Sequence, residues 1–220
     1  MHSPFQVTWV GERTWLSFGI TFINVSTAVW NTFNPSFQVG TVTLAVHSPD
    51  VALLVTQADA RGVQQDVLDD AVLLRDDNFR TLHDIVVRVP QFIDATLEES
   101  DLLHGDLDDV YSISPESQSG VQERARRVVS LWNRVNAARA SMTPPLTPLL
   151  LGTTTVANLQ TRLTNHPVLL QAVENQRSEL NQQKSLLNAI ARRVDRNNKR
   201  WYTAWPKFFS NESPENAALS

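Results

Sequence analysis

Val173, Leu180, Leu187, Val194, Trp201 and Phe208 recur at a strict seven-residue interval. Seven residues are close to two helical turns, so six apolar side chains on that interval form one seam along a helix. Leu170, Ile190, Ala191 and Trp205 fill the adjoining ridge. A second series, Leu54, Leu68, Leu82 and Val89, keeps the same interval but is broken by Arg61 and Arg75; Val67, Ala71, Phe79, Ile85, Val86, Phe92 and Ile93 supplement it. The spacing predicts two long amphipathic helices, over 50–97 and 160–209. A helix of the first length spans about 70 Å at 1.5 Å per residue, more than a compact globule of this mass needs, so an elongated molecule is expected.

Two shorter helices are expected upstream of these. Over 11–33 the pairs Trp15/Leu16, Phe22/Ile23 and Val29/Trp30 lie two turns apart, with Phe33 one turn beyond. Over 120–141, Val121, Ala125, Val128, Trp132 and Val135 follow the i, i+4, i+7 rule, and Pro144-Pro145 stops what precedes them. Pro90 and Pro206 fall late in the long helices, where a kink or an early end is expected. The fold class is therefore all-α.

The chain also repeats itself. Gly40-Thr41-Val42-Thr43-Leu44-Ala45 recurs as Gly152-Thr153-Thr154-Thr155-Val156-Ala157, each time after a proline-containing loop and each time opening a helix-sized stretch. Further on, Val67, Leu68, Ala71 and Asn78 align with Leu186, Leu187, Ile190 and Asn197. We read two similar halves, 1–112 and 113–220, forming one pseudo-twofold helical bundle. Asn78 and Asn197, with Asn198 beside it, fall within apolar ridges, where an amide either fixes helix register or simply points to water.

Charge divides along the sequence. Residues 50–111 hold fifteen acidic and four basic side chains, a net −11, whereas residues 120–210 hold fourteen basic and four acidic ones, a net +10. Such a split is neutralised either inside one molecule or between molecules stacked head to tail. The stretch from Trp15 to Phe33 has no charge at all, but seven of its nineteen residues are Ser, Thr or Asn, so a membrane span is not favoured. Residues 1–10 lack a basic, apolar and small-residue signal pattern, which implies a cytoplasmic protein or one exported by a non-classical route.

Little in the sequence points to chemistry. The absence of cysteine excludes thiol catalysis and cysteine-ligated metal centres. No phosphate-cradling glycine loop and no nucleophile elbow occur, and the five histidines show no i, i+4 ligand pairing. The acidic runs at Asp66, Asp69, Asp70, Asp76 and Asp77 and at Asp101, Asp106, Asp108 and Asp109 match no calcium loop. No cofactor, metal or catalytic residue is expected, and the chain reads as a non-enzyme. The best ligand-contacting stretch is basic and aromatic: Arg192, Arg193, Arg196, Lys199, Arg200 and Lys207 interleave with Trp201, Tyr202, Trp205, Phe208 and Phe209. That mixture suits single-stranded nucleic acid, an anionic membrane surface or an acidic partner, although the net acidity of the chain favours neither nucleic acid nor membrane.

Gly40-Thr41, Asn78, Gly152-Thr153, Asn197 and Ser213-Pro214-Glu215, in this order among long helices, resemble a loose group of uncharacterised bacterial proteins built as duplicated α-helical modules. Some members of that group carry fibronectin type III-like modules afterwards. The resemblance implies a fold and no activity. The expected role is that of a structural, self-assembling protein forming a homo-oligomer, filament or tube. Its interface candidates are Trp15, Phe18, Phe22, Val29, Trp30, Phe33, Arg193, Arg196, Arg200, Trp205 and Phe209. The alternative is a monomeric binding module that uses the basic aromatic helix face.

Overall fold

The computed structural model describes residues 24, 26–97, 103–208 and 214. Among these residues the chain is a helical bundle without strands. Its helices are α1 (26–33), α2 (Leu44–Asp94), α3 (His104–Tyr111), α4 (Gln118–Ser141) and α5 (Val156–Phe208). The region 1–23, including most of the expected 11–33 helix, lies outside the described residues, as does Phe209.

Both long helices begin earlier than their apolar spacing indicates, at 44 instead of 50 and at 156 instead of 160. The reason is capping. Thr43 Oγ1 shares the Val46 N–H with the Thr43 carbonyl, at 3.3 and 3.1 Å, and Thr155 Oγ1 accepts the Asn158 N–H at 3.2 Å, so each threonine engages a donor of the first helical turn. Neither proline ends its helix: α2 runs on from Pro90 to Asp94, and α5 from Pro206 to Phe208. α4 starts at Gln118, two residues before the expected 120, with Ser117 Oγ accepting the Gly120 N–H at 3.0 Å. Helix α3 is an element the apolar series did not reveal; it buries Leu107 and Val110 on one face, with Leu103 buried just before it.

The chain packs as two compact units, and these interleave the proposed repeats. One unit takes residues up to 67 and from 177 onward, while the other is the continuous stretch 68–176. The first therefore combines the start of α2 with the end of α5, and the second combines the end of α2 with the start of α5.

In the first unit, Val51 and Leu54 of α2 pack with Leu187, Ile190 and Val194 of α5. Beside them, Val29, Trp30 and Val42 form an aromatic interior with Trp201 and Trp205. In the second unit, Leu82, Ile85, Val86, Val89 and Ile93 of α2 meet Val121, Ala125, Val128, Leu131, Trp132 and Val135 of α4, with Leu107, Val110, Leu149 and Leu159 closing the cluster. The seven-residue series behaves as a buried seam along most of α5: Val173, Leu180, Leu187, Val194 and Trp201 are all buried, and only Phe208 is open to solvent.

One buried cation supports the second interior. Arg124 of α4 donates from Nε to the Val86 carbonyl at 3.1 Å and from Nη1 to the Ile113 carbonyl at 3.0 Å, with its guanidinium 5.5 Å from the centre of the Tyr111 ring. It thereby ties the late part of α2 and the turn after α3 to α4. Burial pulls the Arg124 pKa below the usual arginine value, while Tyr111 pulls it back upward.

Candidate interaction site

Each Gly-Thr block makes a tight turn. Val39 and Val42 pair across Gly40, and Leu151 and Thr154 pair across Gly152, with both glycines at φ +61°. That conformation is open to glycine and strained for residues bearing a Cβ. An indole holds each preceding loop: Trp30 Nε1 donates to the Phe37 carbonyl at 3.0 Å, and Trp132 Nε1 donates to the Leu149 carbonyl at 3.0 Å. A buried Trp seeks a partner for its N–H, so each ring contributes apolar packing and a fixed loop path together.

In the first unit the anchored loop becomes an aromatic stack. Trp30 lies against Trp201 with ring centres 5.3 Å apart, Trp201 against Trp205 at 4.7 Å, and Phe37 edge-on to Trp205 at 5.3 Å. Phe37 also meets the exposed Phe208 ring at 5.2 Å. His47 sits on the other side of Trp30, 5.5 Å between ring centres, fully buried and with neither ring nitrogen hydrogen-bonded among the described residues. Desolvation holds its pKa below the usual histidine value, against a smaller upward pull from Asp50. The neutral ring is the form this interior accepts.

Polar contacts lock the two helices of this unit in place. The Arg193 guanidinium meets the Asp50 carboxylate at 2.6 Å, joining the basic end of α5 to the start of α2. Gln64 Nε2 donates to Glu179 at 3.2 Å. In the second unit the acid–base pairing is repeated between α3 and α4, where Asp106 pairs with Arg134. Opposite charges from the two sequence regions therefore do meet within each unit.

A second buried histidine lies in the 68–176 unit. His166 packs 5.5 Å from Phe79, and the Gln118 side-chain nitrogen lies 2.8 Å from its Nε2. An amide N–H donates, so Nε2 accepts and the ring proton belongs on Nδ1. Burial lowers its pKa, and Arg75 lowers it further.

The interface candidates separate into three groups. Val29, Trp30 and Trp205 belong to the interior, where they hold the first unit together and offer no surface. Phe33 is exposed, as are Arg193, Arg196 and Arg200. Trp15, Phe18, Phe22 and Phe209 lie outside the described residues. The interleaved basic aromatic stretch is thus divided by depth, its cations outside and Trp201 and Trp205 inside, so neither indole presents a free face for stacking a base.

Beside the stack, an open cleft of about 400 Å³ lies between α1 and the start of α2, lined by Asn24, Thr27, Asn31, Leu44, Ser48 and Val51 among others, with no charged residue in its wall. Among the described residues no group of carboxylates and histidines converges as a metal site, and no helix is long and apolar enough to cross a membrane. Compared with known proteins, the chain matches no family model, no curated protein and no solved structure.

Proposed function

We propose that this chain is a structural protein that associates with copies of itself through contacts between oppositely charged units. The observation that carries the reading is the charge of the two units. Among the described residues the first holds nine basic and five acidic side chains, a net +4, and the second nine basic and twelve acidic, a net −3. Internal pairing at Asp50–Arg193 and Asp106–Arg134 leaves these net values in place. Unlike charges on separate units favour contact between the first unit of one copy and the second unit of another, and such heterologous contacts build rings or filaments depending on whether the rotation closes.

We also infer that the chain is a pseudo-twofold duplication. In its support, both copies place a Thr cap, a positive-φ glycine, a Val39–Val42 or Leu151–Thr154 bridge and an indole-to-carbonyl anchor in the same order. We assign no catalytic role to any side chain. Light scattering across a salt series tests the proposal: large species at low ionic strength that dissociate as salt rises are expected. A single-chain mass at every salt and protein concentration overturns it.

One observation favours the alternative of a monomeric binding module. Arg192, Arg196 and Arg200 are exposed on α5. If that face binds an anionic polymer, replacing the three with Ala abolishes retention on immobilised single-stranded nucleic acid.

A further inference from the structure

Helix α2 carries more apolar surface than its interior uses. Val46, Leu53, Val63 and Val67 are all exposed within the first unit. Val46, Leu53, Ala60 and Val67 repeat at seven residues, with Val63 on the adjoining ridge, one position behind the buried Leu54 and Leu68. α2 therefore shows two seams, one filled and one open. By contrast, α4 exposes no large apolar side chain, and its apolar face is consumed by the second interior. A regular apolar series left in water along a helix is the pattern of a surface awaiting another helix.

The charges beside the open seam state what that helix carries. Asp59 and Asp66 stand exposed on the same stretch of α2. On α5 of the same unit, the exposed Leu186 and Ala189 precede Arg192, Arg196 and Arg200, which are exposed and have no ion-pair partner among the described residues. A short apolar patch followed by three cations complements a seam of valine and leucine edged by two aspartates. Charged residues flanking a helical seam choose the partner and its direction, so these signs select α5 over a second α2, which would set aspartate against aspartate.

We propose that the open seam of α2 docks the Leu186–Arg200 face of α5 from a second copy of this chain. This rests on self-association of the chain alone: it places the contact between the first units of two copies, held by the local charges beside the seam and not by the net charges of the units. Because both surfaces belong to one unit, a two-fold pair makes the contact twice, whereas a repeated one-way contact extends the assembly.

The native sequence contains no cysteine, so single thiols report the contact without background. One set of variants carries Leu53→Cys or Val63→Cys, and the other carries Leu186→Cys or Ala189→Cys. The sets are mixed pairwise, exchanged at high salt, returned to low salt and treated with a short bismaleimide. Cross-linked dimers joining an α2 thiol to an α5 thiol are expected to exceed the self-linked dimers of either variant severalfold. Asp59→Lys with Asp66→Lys is expected to lower that yield severalfold, and Arg196→Glu with Arg200→Glu in the partner to restore it. All these positions are exposed, and unchanged helical circular dichroism verifies that the variants fold. Association by light scattering without any α2-to-α5 cross-link overturns this docking surface and leaves self-association standing. A single-chain mass throughout overturns both.

Discussion

The Ser26 hydroxyl donates to Asn198 Oδ1 at 2.9 Å, joining α1 to the end of α5 across 172 positions of sequence, with both residues buried. An amide in an apolar interior is tolerated only where a partner waits for it, so this bond fixes which turn of α5 faces α1. Asn198→Leu leaves the serine hydroxyl facing an apolar group, with an expected loss of about 1–3 kcal/mol in urea denaturation. The Ser26→Ala, Asn198→Leu double variant is expected to lose less than the sum of the two singles.

Glycine substitutions are expected to split by backbone conformation. Gly40→Ala and Gly152→Ala meet no steric obstacle but hold φ at +61°, so each is expected to destabilise by about 1–2 kcal/mol. Gly62 lies inside α2 with open space around it, so Gly62→Ala is expected to stabilise by about 0.5–1 kcal/mol. At Gly120 a methyl group would run into the Ser114 carbonyl oxygen, and Gly120→Ala is expected to destabilise in spite of the helix preference of alanine. Thermal midpoints of the four variants check the ordering.

Acid is expected to unfold the protein through its buried histidines. Both His47 and His166 have folded pKa values below the unfolded one, so the unfolded chain binds more protons and stability rises with pH. Their contribution is complete above about pH 6.5 and is lost as the pH falls from there toward the depressed folded values. His47→Leu is expected to flatten the pH dependence of the denaturation midpoint in this window. Protonation of His166 places a ring N–H against the Gln118 amide donor, so the remaining slope is assigned to that site.

Arg124 holds two carbonyls at once, and its fork has no equivalent in lysine. Arg124→Lys is expected to cost about 1.5–3 kcal/mol, as one or both charge-assisted bonds are lost in a buried site. Chemical denaturation of the variant against the native protein measures it.

The seven-residue rule made the bundle legible, and its interruptions concealed the rest. Extended backward by seven from Leu54, the α2 series reaches His47; extended from Val173, the α5 series reaches His166 and Leu159, and all three are buried. Histidine is polar enough to end an apolar series on paper, whereas in the bundle a neutral imidazole occupies an apolar place. Leu159 follows Gly152 at the same distance as His47 follows Gly40, and both side chains are buried. Of the adjacent asparagines, Asn198 is buried and Asn197 only partly so, a distinction of one helical step that depends on where Ser26 lies. The division of Trp201 and Trp205 from their neighbouring arginines was likewise fixed by α1 and the loop at Phe37, far away in sequence.

Because the 68–176 unit is one continuous stretch and the other unit draws on both sides of it, the order of synthesis differs for the two. All the partners of Trp132 are translated before residue 177, so that interior can close while later codons are still being read. Trp30 must stay without the Trp201 and Trp205 rings until these leave the ribosome, which makes the first-made tryptophan of the pair the last to find shelter.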